Sequence, residues 1–364
     1  MQPFDFTPLN RVVFGPGRLA EIGTLARHQG FQRVLLVADQ GVRAAGYVDR
    51  ARALLEAEGL SVTCFHDFDA NPDTAMVEAG AEAARQALAD SIIALGGGSS
   101  LDTAKGVNFV YTNGAPMKRY WGWGKADRPM LPMIGIPTTA GTGSEAQTYA
   151  LISDAATHVK MACGDPKAAF RIALLDPELC LTAPPAVRAT AGYDALSHAV
   201  ETWVTTKRNP FSLAYSQQAF RLIHDCFETV LRQPENIEAM GQMLLGSHLA
   251  GMAIENSMLG ATHACANPLT ARYGTVHGVA IALLLRHVVE WNGNPEYGAL
   301  HADLPLRLLD LAQAAGLPTR LRDAGVSAEH IPALAEAAAQ QWTGRFNPRP
   351  FDAAGAREIY ECAF

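Results

Sequence analysis

The residue pattern divides the chain into an α/β N-terminal half built on a parallel sheet and an all-α C-terminal half. From residue 33 to about 175, short β-rich runs alternate with amphipathic segments, the spacing of successive βαβ units. After Pro184 and Pro185 the texture changes to long amphipathic stretches with few β-branched runs, which reads as helix. Length agrees with two bodies, because 364 residues, 49% of them hydrophobic, exceed what one core usually serves. We place the boundary near residue 180, giving domains at 1–180 and 181–364.

In chain order, RVLLVAD, SVTCFHDF and SIIAL read as strands, separated by helices over YVDRARALLEAEG and MVEAGAEAARQALA. Later strands of the same sheet are expected at PMIGIPTTA and RIALLDP. Between them, residues 146 to 163 read as a β excursion that turns at SDAAT. In the second half, helices are expected over roughly 186–207, 211–232, 236–257, 277–291 and 328–341. Turn clusters such as Asn209-Pro210 and Asn292-Gly293-Asn294-Pro295 separate them.

Charge narrows the partners. A net charge of -7 without dense Lys/Arg clusters argues against a nucleic-acid or anionic-membrane surface and for a small-molecule substrate. No stretch approaches about 18 uninterrupted apolar residues, and MQPFDFTPLNRVVFGPG lacks a basic segment followed by an apolar run. The six cysteines, Cys64, Cys163, Cys180, Cys226, Cys265 and Cys362, form no CxxC pair and read as reduced thiols. A cytoplasmic protein is expected.

SIIAL runs straight into Gly96-Gly97-Gly98-Ser99-Ser100 and then into a helical segment. Glycines at a strand-to-helix turn let backbone N–H groups approach a phosphate, and the helix N-terminus adds partial positive charge. A pyrophosphate suits such a turn, although a triple glycine after a strand is by itself equally well a tight turn. Pro137-Thr138-Thr139-Ala140-Gly141-Thr142-Gly143-Ser144-Glu145 crowds hydroxyls and glycines at the end of another strand. In open α/β sheets ligands bind at the carboxyl ends of strands, so the two loops are candidates to line one crevice. Asp39 ends its strand where a dinucleotide's ribose hydroxyl is met and where its charge would repel a 2′-phosphate; capping of the next turn is an equal reading.

In GYDALSHAVETW, Asp194 and His198 stand four apart on a helix, hence on one face a turn from each other. A carboxylate and an imidazole so placed can chelate one cation. His263 and His277 lie in Gly-containing, otherwise apolar segments where an unpaired imidazole is costly to bury. Such donors suit Fe(II) or Zn(II) better than Mg or Ca. The opposing reading, a hydrogen-bonded core histidine, is the commoner one for any lone His. The other histidines take that reading.

These stretches resemble the iron-containing (group III) alcohol dehydrogenase family, whose dehydroquinate synthase-like fold is shared with glycerol dehydrogenase. The resemblance rests on GGGSSLDTAK, IPTTAGTGSE, LDPEL, GYDALSHAVE, LGATHA, YGTVHG and a C-terminal helix ending REIYECAF. It implies a dinucleotide-binding N-terminal domain, an all-helical metal-binding domain and an active site between them. It implies that Asp194, His198, His263 and His277 hold the metal, Fe(II) with Zn(II) as the alternative. Gly97, Gly98 and Ser99 would cradle the pyrophosphate of NAD, preferred to NADP through Asp39. Thr138, Thr139 and Thr142 would touch the cofactor, with Asp102 and Lys160 near its nicotinamide and ribose portions. The implied activity is hydride transfer between the nicotinamide and an alcohol or carbonyl whose oxygen the metal holds, in a homodimer or larger homo-oligomer.

The chain also departs from that family. Where family members often read HAxAHP, this chain has His263-Ala264-Cys265-Ala266-Asn267-Pro268, so Asn267 can orient but cannot relay a proton at neutral pH. Val276 replaces a common proline and Ile254 a frequent aromatic, which is either an altered substrate pocket or a packing swap. Cys265 and Cys362 read as small hydrophobes. The Trp121-Gly122-Trp123-Gly124 pair precedes a strand, where rimming the cleft and covering the sheet are both open readings, and has no assigned role. Glycerol dehydrogenase-like and maleylacetate reductase-like oxidoreductases are the nearest alternatives. A dehydroquinate synthase-like lyase would need a basic cluster that the lysine-poor helical half lacks, and a non-catalytic nucleotide-binding protein would not need four metal-binding side chains.

Overall fold

The structure, a computed structural model, describes residues 3–364 and divides into two compact units. Met1 and Gln2, the start of the N-terminal segment read above for a leader, lie outside the described residues. The first unit, Thr7–Thr139 with Ser144–Ala183, is α/β. Its elements begin β1 (Arg11–Phe14), α1 (Ile22–His28), β2 (Arg33–Val37), α2 (Gln40–Ala44), α3 (Tyr47–Ala57) and β3 (Ser61–Phe65). They continue α4 (Thr74–Gln86), β4 (Ser91–Gly96), α5 (Gly98–Asn113), β5 (Gly122–Trp123) and β6 (Met133–Pro137). The last are β7 (Tyr149–Ser153), β8 (Lys160–Gly164) and β9 (Ile172–Leu175).

Six strands form an all-parallel sheet in the order β1-β9-β6-β4-β2-β3. The strands read as near-continuous apolar runs because both faces are buried. Along β2, Val34 and Leu36 enter the core shared with α1 and α3, while Leu35 and Val37 enter the core on the opposite face with Leu101, Ala104 and Val107 of α5. The strand order reverses between β2 and β4, so the loops leaving these two strands run in opposite directions from their carboxyl ends, the position where open α/β sheets hold ligands. Residues 146–163, expected as a β excursion, contain the antiparallel pair β7–β8, which β5 extends into a second, three-stranded sheet.

The second unit, Pro184–Phe364 with Ala140–Gly143 and the segment ending at Phe6, is helical. Its helices are α6 (Pro185–Val204), α7 (Pro210–Arg232), α8 (Ile237–Asn256), α9 (Ala261–Tyr273), α10 (His277–Asn292), α11 (Leu304–Ala314), α12 (Ile331–Ala339) and α13 (Ala353–Ala363). Local chemistry starts several of them. Asn209 and Ser212 form a reciprocal capping box ahead of Pro210 in α7, and Asp352 accepts the Gly355 N–H of α13. Helix α6 is buried almost all round from Gly192 to Thr202. Gly192 lets Phe227 of α7 and Met243 of α8 approach it, and Tyr193 donates to the Leu308 carbonyl of α11 at 3.0 Å.

Six elements, β1, α1, α2, β5, α9 and α11, were not anticipated from the residues. β1 is too short and too exposed on one side to announce itself. α9 contains Pro268 and is buried on most of its surface, so it shows no apolar stripe. α11 lies in a stretch left unassigned. The expected helix at 328–341 is a 3₁₀ turn, Ala328–His330, followed by the shorter α12.

The Ala140–Gly143 segment seats on α6 and α8 through its glycines. A Cβ on Gly141 would lie 2.7 Å from Ala191 Cβ, and one on Gly251 of α8 would lie 2.4 Å from the Gly143 carbonyl oxygen. Because that neighbour is backbone and cannot swing aside, Gly251→Ala is expected to destabilise the protein by about 1–3 kcal/mol. The measurement is a lowered denaturant midpoint at unchanged slope; an unchanged midpoint would refute the close approach.

Candidate active site

Helix α6 supplies two of the four candidate metal ligands. Asp194 and His198 are 5% and 4% exposed, and His198 Nε2 lies 3.4 Å from Asp194 Oδ1. His263 comes from the first turn of α9, with Nε2 3.6 Å from the same oxygen, and His277 opens α10 with Nε2 at 3.7 Å. The potential ligand atoms of Asp194, His263 and His277 all lie within 4.8 Å of one another. The rings of His198 and His263 stack at 5.0 Å between centroids, and those of His263 and His277 meet at 5.3 Å. The side chain of His277, 30% exposed, marks the open side of an otherwise buried cluster.

The donor set fits a divalent metal. Asp194 Oδ1 and His263 Nε2 are buried and make no hydrogen bond, an expensive arrangement for a carboxylate and an imidazole unless a cation takes their lone pairs. Ligand atoms each about 2.1 Å from one ion stand about 3.4 Å apart at tetrahedral angles, close to the separations seen around Asp194 Oδ1.

The electrostatics agree. Burial pushes the Asp194 carboxyl up, but His198, His277 and His263 together hold it well below the usual range. Burial lowers His198, with Asp194, Glu201 and the Gly141 carbonyl working against it. For His263 burial is outweighed by Glu201 and Asp194, which raise it to about 9.

Glu201 escaped the residue-by-residue reading. It is 3% exposed, and its Oε2 accepts from His263 Nδ1 while its Oε1 accepts the Thr262 N–H at 2.7 Å. The signal was present: Asp194, His198 and Glu201 follow a spacing of four and three, one face of α6.

The glycine turn stands where β4 meets α5. Gly96 has φ 153, and a Cβ there would lie 2.2 Å from Ser100 Oγ, so residue 96 is the position that demands glycine. No side chain caps α5, whose N-cap is Gly97, which leaves the first N–H groups of a 16-residue helix available to an anion. Ser100 donates to Asp39 Oδ2 at 2.9 Å and accepts the Asp39 N–H at 3.2 Å, tying together the carboxyl ends of β2 and β4 where the sheet order reverses. Asp39 also caps α2 through the Val42 N–H, so the capping role considered from sequence is real.

The remaining candidates are distributed as follows. Thr138 is buried and its N–H reaches the Gly96 carbonyl at 3.0 Å, while Thr139 Oγ1 would lie 3.3 Å from a Cβ on Gly97. Thr142 belongs to the helical unit. Gly98 opens α5, and the Ser99 hydroxyl donates to the Ala70 carbonyl, leaving its N–H for a ligand. Asp102 has both oxygens engaged within the protein, by Ser144 Oγ at 2.6 Å and the Leu151 N–H at 3.2 Å. Burial raises its pKa against the pull of Lys105, Ser144 and Lys160, the last at the start of β8. Asn267 is half-buried and donates to Gln341 Oε1 at 3.1 Å. Ile254 is buried and Val276 is 60% exposed.

The packing reading suits Cys265, which is buried, but not Cys362, which is exposed. No disulfide joins cysteines among the described residues, and burial pushes the Cys163 and Cys226 thiols up to about 12 and that of Cys265 higher still. No helix of the described residues is long and apolar enough to cross a membrane.

Comparison with known proteins matches the same two segments. Residues 9–177 match the model "Iron-containing alcohol dehydrogenase", and residues 188–364 match "Fe-containing alcohol dehydrogenase family, C-terminal". The chain is 34% identical to 1,3-propanediol dehydrogenase of Klebsiella pneumoniae, with 99% of each chain covered. It is also 34% identical to alcohol dehydrogenase 4 of Schizosaccharomyces pombe, over 92% of this chain and 83% of that protein. A solved 1,3-propanediol oxidoreductase superposes with a TM-score of 0.96 at 31% identity, covering all of both chains. A buried carboxylate facing three imidazoles, an uncapped glycine turn on a parallel sheet and two family models spanning nearly the whole length lead to one conclusion: the chain belongs to the iron-containing alcohol dehydrogenase family.

Proposed function

We propose that this chain is an NAD-linked alcohol dehydrogenase and aldehyde reductase whose divalent metal, Fe(II) or alternatively Zn(II), is held by Asp194, His198, His263 and His277. The observation that carries the reading is Asp194 Oδ1, buried without a hydrogen bond and 3.4–3.7 Å from three imidazole nitrogens. When bound, the metal supplies Lewis acidity toward an alcohol or carbonyl oxygen and the nicotinamide supplies or takes the hydride. The chain's own residues set the conditions. Asp194 brings the negative charge that favours a cation, the buried His198 and His263 rings keep water from one side of it, and the more exposed His277 leaves the other side open.

The N–H groups at Gly97, Gly98 and Ser99 bind the pyrophosphate, and Asp39 favours ribose hydroxyls over a 2′-phosphate. Thr138, Thr139 and Thr142 line the cofactor, and Asp102 and Lys160 act near its nicotinamide and ribose portions. Asn267 orients without moving a proton, so the relay runs through another group. The substrate class is a short-chain alcohol or diol and its aldehyde, supported by the names of the relatives. We place the enzyme in the cytoplasm and as a homo-oligomer, the latter in keeping with Val12 and Phe14 exposed on β1, the terminal strand of the sheet.

Three measurements test this. Protein reconstituted separately with Fe(II) and Zn(II) is expected to form NADH from primary alcohols and diols; no NAD(H)-linked turnover with either metal overturns the assignment. His263→Ala is expected to weaken metal retention by more than roughly 100-fold and to lose turnover with it. Full activity of a metal-free variant would exclude the scheme. Asp39→Asn keeps an oxygen for the Val42 N–H but removes the charge, so KM for NADP should fall roughly 10-fold while folding is retained. An unchanged preference would remove Asp39 from coenzyme selection.

A further inference from the structure

Glu201 is as buried as Asp194, His198 and His263 and lies on the same face of α6 as the first two, yet it stands on the far side of His263 from Asp194. Its two oxygens have different tasks. Oε1 accepts the Thr262 N–H at 2.7 Å, one of the donors that the first turn of α9 leaves without a partner in its own helix. Gly260, the N-cap of α9, has no side chain to do this, and a Cβ there would lie 3.1 Å from Glu201 Oε1 and 3.0 Å from Asn347 Oδ1, the group that accepts the Ala261 N–H at 3.2 Å. Oε2 accepts from His263 Nδ1. A neutral imidazole carries one proton, so a carboxylate fixing that proton on Nδ1 leaves the lone pair on Nε2, the atom facing Asp194.

We infer that Glu201 is a positioning residue that sets both the seat of α9 and the tautomer of His263, and thereby the metal affinity of the site. One carboxylate from α6 anchors the helix that delivers the third ligand and orients that ligand's ring. A Glu-to-Gln exchange separates the two tasks. The amide oxygen still accepts from Thr262, whereas the amide nitrogen now donates to His263 Nδ1 and drives the proton to Nε2, where it blocks coordination. The inference rests on the ligand set proposed above.

The experiment strips the metal by chelation and titrates Zn(II) alone against a chromophoric chelator, with melting temperatures of the metal-free proteins read in parallel. Glu201→Gln is expected to bind Zn(II) 10–100-fold more weakly while its metal-free melting temperature stays within about 3 °C of the unsubstituted protein. Glu201→Ala, which loses the cap as well, is expected to lose both. Unchanged Zn(II) affinity in Glu201→Gln, or a loss matched by the same fall in melting temperature as Glu201→Ala, overturns the inference. His263→Ala separates the two levels. If it loses Zn(II) and Glu201→Gln does not, only the Glu201 role fails; if it keeps Zn(II), the ligand set fails and the Glu201 role with it.

Discussion

The helical unit is organised around one desolvated oxygen. Asp194 Oδ1 has no hydrogen bond and faces three imidazole nitrogens, and an ionised carboxylate in that position is tolerable only with compensating positive charge. Three helices must therefore begin or pass within a few ångströms of that atom. α6 passes it lengthwise, while α9 and α10 each present a histidine from the first turn. The glycines follow from this demand. Gly278, next to His277, is packed so closely on α6 that a Cβ would lie 2.2 Å from the Thr190 carbonyl oxygen.

The first turn of a helix is a favourable place to hold a ligand because its backbone is fixed while its N–H groups remain available for outside acceptors. In α9 those acceptors come from other segments, Glu201 of α6 and Asn347 of the stretch before α13. Asn347 is held in turn, donating to Asn292 Oδ1 at 2.7 Å and to the Arg349 carbonyl at 2.8 Å. One turn further along α9, Tyr360 of α13 donates to the Cys265 carbonyl at 2.6 Å, next to the Ala264 carbonyl whose in-helix donor Pro268 removes. A helix with a proline inside and no capping side chain of its own is stable here because its neighbours satisfy it.

The α/β unit solves a different problem with the same economy. The turn after β4 adopts a conformation that a side chain would obstruct, and Gly96 provides it. The Asp39–Ser100 pair then spans the point where the sheet order reverses, bringing an acidic group from β2 beside the glycine turn from β4. Below them, the fully buried Lys105 holds the Ser144 and Tyr149 carbonyls at 2.8 and 2.7 Å and lies 3.8 Å from Asp102, so the segment leading into β7 is fixed by one ammonium.

Strand and helix periodicity, the glycine turn, and the Asp194/His198 spacing were legible along the chain because each depends on residues within a few positions of one another. So was the switch from α/β to helix after Pro184-Pro185. Tertiary structure alone decided what depends on distant segments. The β1 edge is a strand through its pairing with β9, far along the sequence. α9 is a helix although it lacks a stripe and contains a proline, because burial on all sides removes the periodic signal that exposure would create. Asp102 is engaged within the protein by Ser144 and Leu151, and Glu201 is a partner of His263, because hydrogen bonds across 42 to 62 residues leave no trace in local spacing. Sequence fixes which chemical groups are available and on which local face they stand; which lone pairs are left buried and without a donor is a property of how the helices pack.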